Sequence, residues 1–137
     1  MCIRDRHYPP LDIVTPTADK PSPLRSKAVL QPWMGEVFDT AYVPDRAQRR
    51  HRLVSPAWGG NADDIAGIAP ALVITAEFDR LRDEAKRYAD KLDAVGSLVE
   101  YVEVRGVDHG YNIMSDTTET TRRTYDLIAD HVSRAIG

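Results

Sequence analysis

The sequence predicts an α/β protein built on parallel strands, and three features predict it. An apolar, β-branched run over residues 71–76 (A-L-V-I-T-A) stops at Glu77-Phe78-Asp79 and gives way to an amphipathic helical pattern. A second β-branched run, over residues 98–104, follows that helix and leads into the turn Gly106-Val107-Asp108-His109-Gly110. A last helical pattern covers residues 118–136. Strands that alternate with crossover helices pair in parallel through right-handed connections.

The totals fit one domain. The chain has 137 residues, and its 42% hydrophobic and 28% charged composition is that of a globular protein rather than a disordered one. A net charge of −3 leaves no basic stripe for nucleic acid or an anionic membrane, so neither is expected as a partner. No apolar run approaches the roughly 18 residues of a membrane span, and no signal-peptide pattern opens the chain, so a cytoplasmic location is expected. Cys2 is the single cysteine and has no partner for an internal disulfide; at a terminus it is expected to be inert. Residues 1–6 (M-C-I-R-D-R) lack periodicity and resemble a translated sequencing adapter. They are expected to be a non-native leader, with residues 7–137 forming a partial domain and the true amino terminus lying upstream.

Taken in order, residues 7–14 (H-Y-P-P-L-D-I-V) read as the end of a strand, with Pro9 and Pro10 restricting it to an edge or bend. Pro16, Pro21 and Pro23 make residues 15–23 a loop. Between Leu24 and Ala41 apolar residues recur every three or four positions, which predicts a helix with Pro32 in its first turn. Its Trp33, Met34 and Phe38 stripe is expected to be core, with a substrate-lining surface as the alternative. Residues 45–52 carry Arg46, Arg49, Arg50, Arg52 and His51 and read as a solvated face without the glycine-rich turn of an anion site. Ser55 sits in a turn-rich connector outside any G-x-S-x-G elbow and is not expected to be a nucleophile.

After the strand at 71–76, Ala85, Tyr88, Ala89, Leu92 and Val95 mark the buried face of the clearest helix. Asp83 and Glu84 place negative charge at its positive end, and Gly96 supplies a left-handed stop. Glu100 and Glu103 interrupt the next strand, as near a sheet edge. The last helix is expected to bury Tyr125, Ile128, Ala129, Val132 and Ile136.

In a parallel sheet the loops at the carboxyl ends of the strands gather on one side, so Asp79 and His109 are expected to meet despite their separation in sequence. A carboxylate on one imidazole nitrogen fixes the tautomer and frees the other nitrogen to take a proton from a nucleophile. The residues alone leave a catalytic pair and a bracing pair equally open. Asp83 is the alternative acid, in a helical first turn; Asp108 is expected to shape the turn. His7, His51 and His131 lack metal-ligand spacing and are expected to be structural, and neither metal nor cofactor is implied.

The stretch A-L-V-I-T-A-E-F-D-R-L-R-D-E-A-K-R-Y-A-D-K-L, followed by V-D-H-G-Y, resembles the carboxyl-terminal part of the hormone-sensitive-lipase-like branch of the α/β-hydrolases, a family of serine carboxylesterases and lipases. The resemblance extends more weakly to Tyr8-Pro9-Pro10-Leu11-Asp12 and Ser55-Pro56. It implies the later part of a doubly wound, mostly parallel sheet, with about three strands present, and it maps the triad acid of D-x-L-x-D-E to Asp79 and the triad histidine to His109. The family's usual proline after the acid is Arg80 here, and its usual phenylalanine after H-G is Tyr111; both departures are expected to matter little. The nucleophile elbow and the glycine-rich oxyanion motif are absent from these residues. The implied function is ester hydrolysis on a small-molecule substrate. A non-catalytic α/β binding module, or an amidase or peptidase on the same fold, are the alternatives.

Overall fold

The computed structural model describes residues 4–114 and 118–136. Cys2 therefore lies outside the described residues. Three strands form one sheet in the order β1-β2-β3: β1 (Arg4–His7), β2 (Ala71–Ala76) and β3 (Leu98–Val104). Both pairings are parallel. Among the described residues four α-helices accompany them: α1 (Pro32–Tyr42), α2 (Arg82–Ala94), α3 (Tyr111–Met114) and α4 (Thr118–Ile136).

All six residues of β2 are buried, which is why its pattern is a continuous apolar run rather than an alternation. Its two faces nonetheless do different work. Ala71 and Val73 join Ala85, Tyr88, Ala89 and Leu92 of α2 in the main core, whereas Ala76 joins Val107 and Tyr111 in a second cluster on the opposite face. Removing Leu72, Val73 and Ile74 from water stabilises the fold by about 1.5–3 kcal/mol each. Helix α2 ends where Gly96 takes φ +68°, the left-handed stop read from the sequence. Strand β3 lies at one edge of the described sheet and is partly exposed, in keeping with Glu100 and Glu103.

Several expectations change. The first strand is Arg4–His7, and residues 8–14 are irregular. Pro9 and Pro10 lack the N–H groups a ladder needs, so pairing stops at Tyr8, whose N–H donates to Ile74 O at 2.7 Å. Arg4–Arg6, read above as leader, thus occupy a strand; pairing uses backbone groups that every such residue has. Second, the expected helix from Leu24 shortens to α1, preceded by a 3-10 turn at Arg25–Lys27. Arg25 has φ +52°, which a continuous helix excludes, and Pro32 then starts α1 at its first position.

Third, the apolar stripe of α1 is not core. Trp33 is 66% and Phe38 58% exposed, while Gly35 and Asp39 are buried. The glycine decides this: a Cβ at Gly35 would lie 1.9 Å from Thr17 Oγ1, so α1 docks through its one side-chain-free position on the 3-10 turn Thr17–Asp19. Within residues 45–52, Arg49 is buried, donating to Val43 O at 3.1 Å and Thr40 Oγ1 at 3.0 Å. Fourth, α4 buries Thr124 and His131 rather than Tyr125, which is 50% exposed, or Ala129. Polar contacts steer that helix: Thr124 Oγ1 meets Tyr111 Oη at 2.8 Å, and His131 Nδ1 hydrogen-bonds Asp5 Oδ1. The Ile136 side chain lies outside the described residues.

A buried ionic hub ties the long connector after β1 to α2. Glu84 Oε1 accepts from Leu11 N at 2.7 Å and Asp12 N at 3.0 Å, and Oε2 pairs with Lys20 Nζ at 2.6 Å. Lys20 Nζ also donates to Asp12 O at 2.6 Å. Burial pushes the Glu84 carboxyl up, and the Lys20 ammonium opposes that push. On the other face of the sheet, His7 Nε2 hydrogen-bonds Tyr111 Oη at 3.0 Å. Burial first, and the nearby His109 second, lower His7 from 6.5 to about 4.

Two outcomes are expected. Glu84→Ala strands the buried Lys20 charge and two amides and costs about 3–5 kcal/mol in denaturant unfolding, and the paired Lys20→Met, Glu84→Leu change costs less. Between pH 6.5 and about 4 the unfolded chain binds a proton at His7 that the folded chain excludes, so stability falls as pH drops through that window and levels off below it. In unfolding measurements across this range, His7→Gln is expected to lose that part of the pH slope; an unchanged slope would exclude His7 as its source.

Candidate active site

Parallel pairing continues past the ends of β2 and β3 and brings their loops together. Glu77 N donates to Val104 O and Phe78 N to Val107 O, both at 3.0 Å. The Glu77 carboxylate reaches across to accept from Gly106 N at 2.7 Å. The chain then turns at Asp79, whose Oδ1 accepts from Leu81 N at 2.9 Å in the manner of an Asx turn and so orients the carboxylate before α2 begins. On the partner loop Gly110 has φ +70°, which lets the chain reverse directly after His109 and start α3.

These two turns place Asp79 Oδ2 2.8 Å from His109 Nδ1. The Asp79 side chain is 1% exposed and the His109 side chain 24%, so the acid is sealed beneath an accessible imidazole. The Tyr8 ring packs against that imidazole at 4.7 Å between centroids, inclined at 59°. Tyr8 holds φ +37°, an uncommon backbone state for an aromatic residue, and its hydroxyl donates to Asn112 Oδ1. Beside His109 lies a cavity of about 230 Å³ walled by Pro10, Ile13, Leu30, Phe38, Tyr42 and Leu81. Phe38 therefore lines a cavity instead of packing in the core.

Of the other residues singled out in the sequence, Asp83 lies in the first turn of α2, 44% exposed and paired with Arg82, and does not join the pair. Asp108 shapes the turn: Oδ1 accepts from His109 N at 2.7 Å and Oδ2 from Val29 N at 2.6 Å. Ser55 is fully buried, its Oγ accepting from Ile13 N at 3.0 Å. His51 Nδ1 accepts from Leu53 N at 3.2 Å. No cluster of three or more metal-ligating side chains occurs among the described residues.

Three residues have structural roles that the sequence reading did not anticipate. Glu84 shares the i, i+4, i+8 stripe of Tyr88 and Leu92, a signal that it faces inward rather than simply serving the helix dipole. Arg80 is buried with its guanidinium on three carbonyls, and Tyr8 covers the imidazole; no local pattern announces either.

The profile of the α/β-hydrolase fold family matches residues 6–113. Lipase 2 of Moraxella sp. (strain TA144) is 37% identical over 82 residues, covering 58% of this chain and 18% of that protein. The carboxylic ester hydrolase LipN of Mycobacterium tuberculosis is 42% identical over 77 residues, covering 53% of this chain and 20% of LipN. The solved hyperthermophilic esterase of the archaeon Pyrobaculum calidifontis superposes with a TM-score of 0.80 at 27% identity, over 98% of this chain and 43% of that one. The chain thus spans about a fifth of the length of these two curated relatives and less than half of the solved esterase. No helix among the described residues is long and apolar enough to cross a membrane. With its three parallel strands, its crossover helix and a family match running from the end of β1 into α3, the chain belongs to the α/β-hydrolase fold family, in its hormone-sensitive-lipase-like branch.

Proposed function

We propose that this chain supplies the acid and the histidine of a Ser-Asp-His triad in a carboxylic-ester hydrolase. The observation that carries the reading is the 2.8 Å contact between a sealed Asp79 carboxylate and a half-open His109 imidazole beside an apolar cavity. Asp79 accepts from His109 Nδ1–H, which leaves Nε2 unprotonated and able to act as a base. A serine on the part of the protein outside these residues would lose its hydroxyl proton to Nε2 as it attacks the ester carbonyl. The resulting imidazolium is stabilised by Asp79 and returns that proton to the departing alcohol oxygen. Water then repeats the sequence on the acyl-enzyme, with Nε2 again taking the proton and the serine leaving as the free hydroxyl. The names of the relatives, lipase and carboxylic ester hydrolase, favour an ester over an amide substrate. The walls of the cavity favour an apolar group on that ester, and a cytoplasmic location is part of the same proposal.

In the full-length protein, p-nitrophenyl ester hydrolysis is expected to fall about 10⁴-fold in Asp79→Asn, through loss of the correct tautomer, and at least as far in His109→Ala. Asp83→Asn should stay within a few fold of the parent. Loss confined to Asp83→Asn and His109→Ala would move the acid to Asp83, and a full-length protein that hydrolyses only amides would overturn the ester reading. These residues alone hold no G-x-S-x-G elbow, so the 137-residue chain by itself is expected to show no turnover in the same assay.

A further inference from the structure

Residues 20–31 form a strap hooked to the loops on both sides of the Asp79–His109 pair. On the acid side, Ser22 Oγ donates to Phe78 O at 2.9 Å, and Arg80 grips the strap at three points. Its Nε donates to Leu30 O at 3.1 Å, Nη1 to Lys20 O at 2.6 Å and Nη2 to Arg25 O at 3.0 Å. On the histidine side, Val29 N donates to Asp108 Oδ2 at 2.6 Å while Asp108 Oδ1 holds His109 N. Phe78 and Arg80 flank Asp79, and Asp108 precedes His109. The strap therefore joins the immediate neighbours of the two residues whose separation matters.

Arg80 is only 9% exposed, and among the described residues no carboxylate lies within ion-pair distance of it. Its charge is answered by backbone carbonyls that converge on one planar fork, a geometry that suits guanidinium and that a single ammonium cannot reproduce. Arg25, whose carbonyl is one of the acceptors of that cradle, holds φ +52°, a left-handed conformation that is strained in a non-glycine residue and persists where surrounding contacts fix it. Lys20 and Leu30, whose carbonyls Arg80 holds, also line the cavity beside His109.

From this arrangement we infer that Arg80 and Asp108 are positioning residues which hold the strap from its two sides and thereby set the Asp79–His109 geometry and the cavity wall. The inference rests on the assignment of that pair as catalytic. Neither residue touches the reacting atoms; each acts through the strap. A purely structural brace would change stability and leave turnover per folded molecule intact, whereas a positioning device lowers kcat and couples the two residues.

The test uses the full-length protein with Arg80→Met, Arg80→Lys, Asp108→Ala and the double change Arg80→Met, Asp108→Ala. Arg80→Met is expected to lower kcat for p-nitrophenyl esters by about 10- to 100-fold, the scale of a displacement near 1 Å, with KM changed far less. Arg80→Lys should recover little of it, because donors on one compact ammonium cannot reach all three carbonyls that the planar fork spans. The double variant should cost less than the product of the two single losses, since both act through one strap. Hydrogen–deuterium exchange supplies a readout independent of activity: Arg80→Met should speed exchange in residues 105–111 as well as in 20–31. If Arg80→Met does not fold, Arg80→Gln carries the same arms. Parental kcat in folded Arg80 variants, independent losses that multiply, or exchange gains confined to residues 20–31 would each overturn the inference. A parent protein without esterase activity would instead count against the proposed function, and the exchange arm would still decide whether the strap couples the two loops.

Discussion

The pairing of β2 with β3 governs this molecule, and its most consequential part lies beyond the strands themselves. Two backbone hydrogen bonds, Glu77 N to Val104 O and Phe78 N to Val107 O, carry the ladder into the loops. They deliver Asp79 and His109 to the same place at the carboxyl end of the sheet, where the strand termini of open α/β sheets gather ligands. The strand can do this because it is buried along its whole length between α2 on one face and the Ala76, Val107 and Tyr111 cluster on the other. The position of the pair is thus set by core burial, and its fine geometry by the contacts of the loops.

Those contacts are polar, and they are spent on backbone groups. Glu84, Arg80, Asp108 and the Asp79 Oδ1 atom each satisfy amides or carbonyls of irregular segments. The long connector from Tyr8 to Pro70 contains little regular structure, so its buried N–H and C=O groups need partners from side chains. Charged side chains make strong partners because the charge strengthens each bond where water is excluded. The same arrangement explains why Arg80, a departure from the family pattern expected to matter little, became a centre of three hydrogen bonds.

Much of this was legible in the sequence, and the limits have physical causes. The runs at 71–76 and 98–104 and the helix at 118–136 coincide with β2, β3 and α4, because apolar periodicity over a long segment fixes element type. Periodicity shows which residues share a face but not what covers it, so the α1 stripe predicts core although Gly35 is the docking point. For α4, hydrogen bonds of Thr124 and His131 outweighed the apolar pattern. At the site, strand-then-loop logic anticipated that Asp79 and His109 meet. The carbonyls that receive Arg80, and the Tyr8 ring on the imidazole, depend on chain segments far away in sequence, and no local spacing encodes them.

The central claim is that His109, oriented by Asp79, presents Nε2 to a serine nucleophile. A crystal structure of the full-length protein after reaction with an alkyl phosphonate ester probe tests it most directly. The account predicts a phosphonylated serine with its adduct oxygen within hydrogen-bond distance of His109 Nε2, and with Asp79 still on Nδ1. An adduct lying away from His109, or an imidazole held by a different carboxylate, would contradict it.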